Sequence, residues 1–361
     1  MKTIVCIFII SLFVGCDLTQ TIESKQTPLL RTRASSVQYS MLENINLEEL
    51  GIIKPSKIVH KDSLIVFLTP KSKYRFAIYN TNSQQLTQLV PAGNKEGEGL
   101  YFLDLNLSGT IVSAFDFGLG RLVEIDLGIC NSCEYKPLFT TLKEANKIPL
   151  GGIHINNKVI TTGIYTKGRY CCSNLDSNID TYSVSYPTCT ASNLTDSLKS
   201  IFYASNCLAV NPKMTRMACA NMQHSCLDIC DINDSLLTRI NEIHLTQPNV
   251  LFQQNRWTGQ TKSSPVAYLR YNLFGFCDLT VSDEYIYALY SGRSYDEYGI
   301  DIDKGRVIFI FDWTGHHVRT LHIPISCSSI SYDSNSDIIY ALAHENGHSE
   351  IITINPSSNN E

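Results

Sequence analysis

The sequence predicts an all-β protein: a six-bladed β-propeller with about four antiparallel strands per blade, its ring closed by a strand from the N-terminal side. Three observations predict it. First, one hairpin recurs six times, in SKIVHKDSLIVFLTP (56–70), FLDLNLSGTIVSAFD (102–116), GGIHINNKVITTGIY (151–165), NCLAVNPKMTRMACA (206–220), FCDLTVSDEYIYALY (276–290) and CSSISYDSNSDIIYALA (327–343). Each copy runs from an apolar strand through a polar Asn, Ser, Asp, Gly or Pro turn into a second apolar strand. Second, the copies start about 45 to 55 residues apart, with a longer gap before 276, and most continue into a third and fourth strand, which is the period of propeller blades. Third, a helical period is confined to short stretches such as SLKSIFYA (197–204), while 19 Tyr and 14 Phe suit strands. A β-helix would need shorter repeats, and a pair of sandwiches would not repeat one hairpin six times.

In chain order, MKTIVCIFIISLFVGC comes first. Lys2 gives a positive start, and the uncharged run Thr3 to Val14 is shorter than the roughly 20 residues a spanning helix needs. It has the length of a signal-peptide core. Val14-Gly15-Cys16 resembles a bacterial lipobox, with Phe13 where Leu is usual, so lipidation is expected at Cys16. An ordinary secretory signal cut elsewhere, or an uncleaved anchor, are the alternatives. The expected organisation is a lipoprotein signal peptide and lipobox over 1–16, a polar tether over 17–36, the propeller over 37–356 and a disordered tail over 357–361. The body is expected to be exported and membrane-anchored, facing the periplasm or the cell surface.

The clearest outer strands lie in VIFIFDWTGHHVRTLHIP (307–324), where Val307 to Asp312 and His316 to Ile323 flank a Trp-Thr-Gly turn. Strands stacked between blades bury both faces, which accounts for continuous apolar runs such as VIFIF. The last copy ends at SEIITINP (349–356) with only three strands. SVQYSMLENINL (36–47) is placed to supply the fourth and protect the open edge.

Net charge is −5 and pI about 6.0. No basic stripe interleaved with aromatics is present, so nucleic acid is not an expected partner. Of 13 cysteines, the odd number left after Cys6 and Cys16 leaves at least one thiol free or intermolecular. Cys130-x-x-Cys133, Cys171-Cys172 and Cys226-x-x-x-Cys230 are candidate metal or disulfide positions, and buried thiols with one or two local disulfides are expected.

Residues 344–348 read HENGH, the letters of a zinc-peptidase motif. That motif needs both histidines on one helical face. Here Asn346-Gly347 is a hairpin turn between two strands, so the match is a coincidence. His316-His317 would need metal partners from another blade and is expected to be surface and packing. The loop 294–306 carries Asp296, Glu297, Asp301 and Asp303 at spacings that do not fit an EF-hand. The same loop, with Tyr290, Tyr295 and Tyr298, and the insert 246–272, with Arg256, Trp257, Tyr268 and Arg270, are the candidate ligand-binding residues, because Trp, Tyr and Arg dominate recognition hot spots. The loop AGNKEGEGLYF (92–102) lacks the following Lys-Ser/Thr and helix of a phosphate cradle. No G-x-S-x-G elbow occurs, and no catalytic residue, metal or cofactor is assigned.

IYALYSGR (286–293), VIFIFDWTGHHVRTLHIP and ISYDSNSDIIYALAHE (330–345) together resemble the TolB-like six-bladed propeller lipoproteins of anaerobic gut bacteria. The likeness is strongest over 276–356. Members often carry G-x-G-P-G-E-F after the first blade, where this chain keeps Gly93, Gly97 and Gly99 without the proline. The resemblance implies the fold more than a reaction. It also implies that Asp-Ser-Leu at 62–64, 196–198 and 234–236 matches an O-glycosylation acceptor, although Asp-Ser is common in turns. The expected function is a non-catalytic envelope module that binds a protein or glycan through one propeller face. The alternative is a glycan lyase or hydrolase whose carboxylates and histidines converge in the central channel.

Overall fold

Blade 1 shows how the repeat folds. Lys57–Lys61 and Leu64–Leu68 are almost wholly buried and pair antiparallel across Asp62-Ser63, where Asp62 takes a left-handed φ of 54°. Tyr74–Asn80 and then Gln85–Pro91 complete the sheet outward, and exposure rises in the outermost strand. The computed structural model describes residues 20–22, 34–42, 45–130, 134–142, 148–187, 194–234, 236–252 and 266–357. Cys16, Arg256, Trp257, Cys133 and most of the expected tail lie outside them.

The same four-stranded order recurs over 106–141, 148–183 and 206–244. Blades 5 and 6 share one sheet because His317–Asp333 is a single long strand. Its first part pairs with Gly305–Asp312 as the outer strand of blade 5, and its second part pairs with Ile338–Glu345 as the inner strand of blade 6. The six recurring hairpins are thus the two inner strands of the six blades. Asn156, Asp337 and the pair Asn346-Gly347 supply positive φ at the tight turns, where short polar side chains and glycine tolerate it.

Ring closure follows the expected route. Tyr39–Met41 pairs with His348–Ile354 as the fourth strand of blade 6. Ser35–Ser36 lies parallel to Leu321 and His322, so the entering chain straps blade 5 to blade 6. Gln20–Ile22, within the segment expected as a tether, pairs with Val250–Phe252, which pairs with Val266–Tyr268.

Each interface between blades has its own apolar cluster. Blades 1 and 2 meet around Val66, Phe76, Phe102 and Val123, and blades 5 and 6 around Leu289, Ile308, Ile330 and Ile352. Blades 6 and 1 close through Phe67, Leu342 and Ile351, joined by Leu47 and Ile52. Among the described residues the smallest of these clusters is between blades 2 and 3, with Phe115, Leu122, Leu142 and Val159. Burial of such side chains contributes about 1.5–3 kcal/mol each. SLKSIFYA holds the helix Asp196–Phe202, whose Thr195 cap accepts from the Leu198 amide.

Local disulfides are not formed at two of the expected positions. Cys226 and Cys230 are buried free thiols in one strand, Cys226–Asn233. Four residues of extended chain separate their backbones by about 13 Å, far beyond disulfide reach. Cys171 and Cys172 are consecutive in Tyr170–Asn174, so their side chains point to opposite faces.

The antiparallel order fixes where the connections emerge. Links from second to third strand, and from fourth strand to the next blade, all leave on one face. That face carries the long segments 92–105 and 291–304 and the described parts of the connections from blade 3 to blade 4 and from blade 4 to blade 5. The other face carries the tight first-to-second-strand turns. We call the first the loop face.

Candidate functional site

The inner strands begin at the loop face, and their first residues meet across the channel. Lys57, from the start of blade 1, places its Nζ 2.8 Å from Asp278 Oδ1 of blade 5 and 2.6 Å from the Cys277 carbonyl. Asp104 Oδ1, just before the inner strand of blade 2, and Cys207 Sγ of blade 4 each lie 3.7 Å from the same nitrogen. Asp278 Oδ2 accepts from Ser329 Oγ at 2.5 Å and from the Ile330 amide of blade 6 at 2.9 Å. Asp104 accepts from the amides of Leu105 and Leu208. Five blades therefore converge on one buried ammonium.

The electrostatics follow from that burial. Desolvation alone would lower the Lys57 pKa, but Asp278, then Cys207 and Asp104, outweigh it and hold it well above the ordinary lysine value. Burial pushes the Asp104 carboxyl up to about 6, against the pull of Lys57. Burial likewise drives the Cys207 thiol well up. A permanently charged lysine cannot act as a nucleophile. Asp104, Cys207 and Asp278 are the described residues able to offer a metal three donors within 4.8 Å of one another. The Lys57 ammonium already sits among those donors. Beyond the cluster the channel holds a cavity of about 70 Å³ reached by all six inner strands, lined by Val59, Leu107, Ile153, Val210, Val281 and Tyr332 among others.

The residues expected to bind ligand separate into two groups. Arg270, Tyr295 and Tyr298 come together on the loop face. Arg270 Nε donates to Asp296 Oδ1 at 2.6 Å, and its guanidinium lies 4.9 Å from the Tyr295 ring centre. The Arg293 guanidinium sits 4.5 Å from the ring of Tyr298, which is 47% exposed. Tyr271 and Ile300, not singled out in the sequence, are exposed beside them at 54% and 83%. Tyr268 packs below this surface, donating its hydroxyl to the Phe202 carbonyl at 3.1 Å and stacking on Phe202. The Tyr290 ring is buried in blade 5, where its hydroxyl accepts from Ser225.

HENGH is the hairpin turn of blade 6, with Glu345 opposite His348 and Asn346-Gly347 at positive φ. His344 bonds Ser328 through Nε2 at 2.7 Å and Ser349 through Nδ1 at 3.1 Å, while His348 bonds Glu48. The two imidazoles thus serve different partners. Burial, with Lys304 adding to it, lowers the His344 pKa to about 4. His316 is exposed in the 313–316 turn against Asp312, and His317 bonds Thr320.

The sequence reading missed Lys57, Asp104, Cys207 and Asp278. One signal could have found two of them: Phe102-x-Asp104-Leu105 and Phe276-x-Asp278-Leu279 repeat the same pattern at the same point of two blades.

Residues 37–335 match the family model described as TolB-like 6-blade propeller-like. The chain belongs to that family. No curated protein matches the sequence. Among solved structures, this TolB-like propeller is similar to a Bacteroides fragilis protein described as exported, at 9% identity over 88% of this chain and 94% of the other, with a TM-score of 0.50. It is also similar to a luciferin-regenerating enzyme, at 10% identity over 90% and 97% with a TM-score of 0.48. A third is the Cps50 (Swd1) β-propeller domain of Myceliophteria thermophila, at 11% over 87% and 99% with a TM-score of 0.46. At such identities the likeness concerns the fold alone.

Proposed function

We propose that the chain is a non-catalytic binding or scaffold module of the cell envelope, lipid-anchored at Cys16, which grips a protein or glycan on its loop face. The observation that carries this reading is the gathering of the long connections on that one face, with Arg270, Tyr271, Tyr298 and Ile300 exposed there. Loops on a rigid scaffold are where recognition is usually placed, and Tyr and Arg are enriched at recognition hot spots. Membership in the TolB-like family and the exported structural neighbour are in keeping with it.

One observation favours a second reading, a glycan-active enzyme. Asp104 and Asp278 approach each other in the channel, and the Asp104 pKa of about 6 is in the range of a general acid. Lys57 fills the space between them, and the cavity beyond is well below the roughly 300 Å³ at which ligand sites begin.

The test is capture from solubilised envelopes with the full-length lipidated protein, beside the double variant Arg270→Ala, Tyr271→Ala. The expected result is a stoichiometric partner, or a bound glycan on an array, that the variant loses at least tenfold with its melting temperature unchanged. Equal capture by both proteins sinks the loop-face reading. Turnover of a glycan abolished by Asp104→Asn would install the enzyme in its place.

A further inference from the structure

Two arginines are brought together on the loop face between blades 5 and 6; neither makes an ion pair among the described residues, and Arg293 reaches the Asp301 carboxylate only as a charge secondary to Lys304. Arg293 Nη2 donates to Ser326 Oγ at 2.6 Å, and Arg306 Nε donates to the same oxygen at 3.1 Å. Arg293 is 9% exposed, and its other terminal nitrogen donates to the Asp301 carbonyl at 3.1 Å. Among the described residues neither guanidinium lies within ion-pair distance of a carboxylate. Lys304 already holds Asp301 Oδ1 at 2.7 Å. The Asp303 carboxyl is raised by desolvation, with Lys304 as its main opposing charge.

The backbone is shaped for this juxtaposition. Gly292 takes a φ of +60° at the turn into Arg293. A Cβ on Gly305 would sit 2.1 Å from the Tyr290 carbonyl oxygen, so only glycine lets Arg306 start its strand there. Two like charges held on one hydroxyl repel each other unless an anion sits between them. Ser326 accepts from both arginines, and its own proton has no acceptor among the described residues. Arg306 is exposed, and its two terminal nitrogens have no hydrogen-bond acceptor among the described residues. Ser328 and Ser349 stand beside the site on a neutral His344.

We propose that Arg293, Arg306 and the Ser326 hydroxyl form an oxyanion site that takes the carboxylate or sulfate group of an acidic saccharide. A planar guanidinium fork matches both groups bidentately, and the half-exposed Tyr298 ring next to Arg293 offers the face on which a sugar ring stacks. The site deepens the loop-face reading, resting on it for where the ligand docks and adding the chemistry recognised there.

Calorimetric titration of the full chain tests it with three probes: a galacturonate oligosaccharide, a sulfated disaccharide and the unsulfated neutral counterpart of the latter. The expected result is binding of one or both anionic probes, no binding of the neutral one, and at least tenfold weaker binding in Arg306→Gln. Arg319→Gln, which removes the same charge at the outer edge of blade 5, leaves the affinity unchanged. The galacturonate and sulfate arms tell the carboxylate source from the sulfate source. Equal affinity of Arg306→Gln and the unaltered protein, or no anionic probe bound by the folded chain, overturns the site. Failure of the loop-face reading is seen separately, as partner capture indifferent to Arg270→Ala, Tyr271→Ala.

Discussion

The propeller contains two buried ionic clusters of opposite stoichiometry. At the channel mouth one cation, Lys57, faces two carboxylates, Asp104 and Asp278. Between blades 3 and 4 one carboxylate, Asp228, faces two cations. Arg169 Nη1 donates to Asp228 Oδ2 at 2.5 Å and Arg239 Nη2 donates to it at 3.0 Å, with the Tyr170 hydroxyl as a third donor. In the second cluster the surplus is positive and is relieved at the edge, because Arg239 is partly exposed and also pairs with Glu242 at 3.1 Å. In the channel the surplus is negative and has no such outlet, and burial, with the Asp278 charge adding to it, raises the Asp104 pKa to about 6. One cluster leads its surplus charge out to the surface, and the other keeps it buried in the channel.

The largest effect expected is from Lys57→Met. It leaves two buried carboxylates without their cation and costs about 3–5 kcal/mol at pH 7 in urea unfolding. The loss shrinks toward pH 5, where Asp104 can take up a proton. Arg169→Met should cost less, about 2–3 kcal/mol, because Arg239 stays on Asp228. A larger loss than that of Lys57→Met would invert the comparison. Asp104→Asn is expected to stabilise the protein by about 1–2 kcal/mol at pH 8. The sign follows from the raised pKa: the fold favours the protonated acid, so Asp104 contributes fully below about pH 4 and that contribution is lost as pH rises through about 6. The amide copies the protonated form, so its advantage over the acid should vanish near pH 4. His344→Gln should have the smallest effect. A histidine held down to about 4 contributes stability above its ordinary pKa that is lost as pH falls through about 4, so the variant should lose about 1 kcal/mol less than the parent between pH 7 and pH 4.5.

The sequence carried the fold because its cues are local. The apolar runs in KIVHKDSLIVFL, the Asp-Ser turn, and Asn346-Gly347 each specify a hairpin within a dozen residues, and stacking of recurring hairpins leaves few architectures. The closing strand was legible for a related reason: the last copy lacked its fourth strand. The channel cluster was not legible, because residues 57, 104, 207 and 278 meet only when a ring of a given size closes. The same limit applied to the binding candidates. Aromatic and arginine content picked out Tyr290 and Tyr298 alike, yet Tyr290 points into blade 5 and Tyr298 into solvent. Cysteine spacing misled because Cys226-x-x-x-Cys230 lies along a strand, where four residues of rise keep the sulfurs apart.

The closing strand also sets the order in which the molecule can be completed. Ser40 and Thr353, 313 residues apart, meet in blade 6, so a growing chain carries its closing strand without a partner until its last strand has been made. At about 5–20 residues per second the wait is roughly 15–60 s. During that interval the early blades can stack on one another, but the edges of the ring stay open. Closure is then the most non-local event in the pathway and among its slowest. A closing strand of only three residues, Tyr39–Met41, offers a waiting chain little edge for pairing with a wrong neighbour.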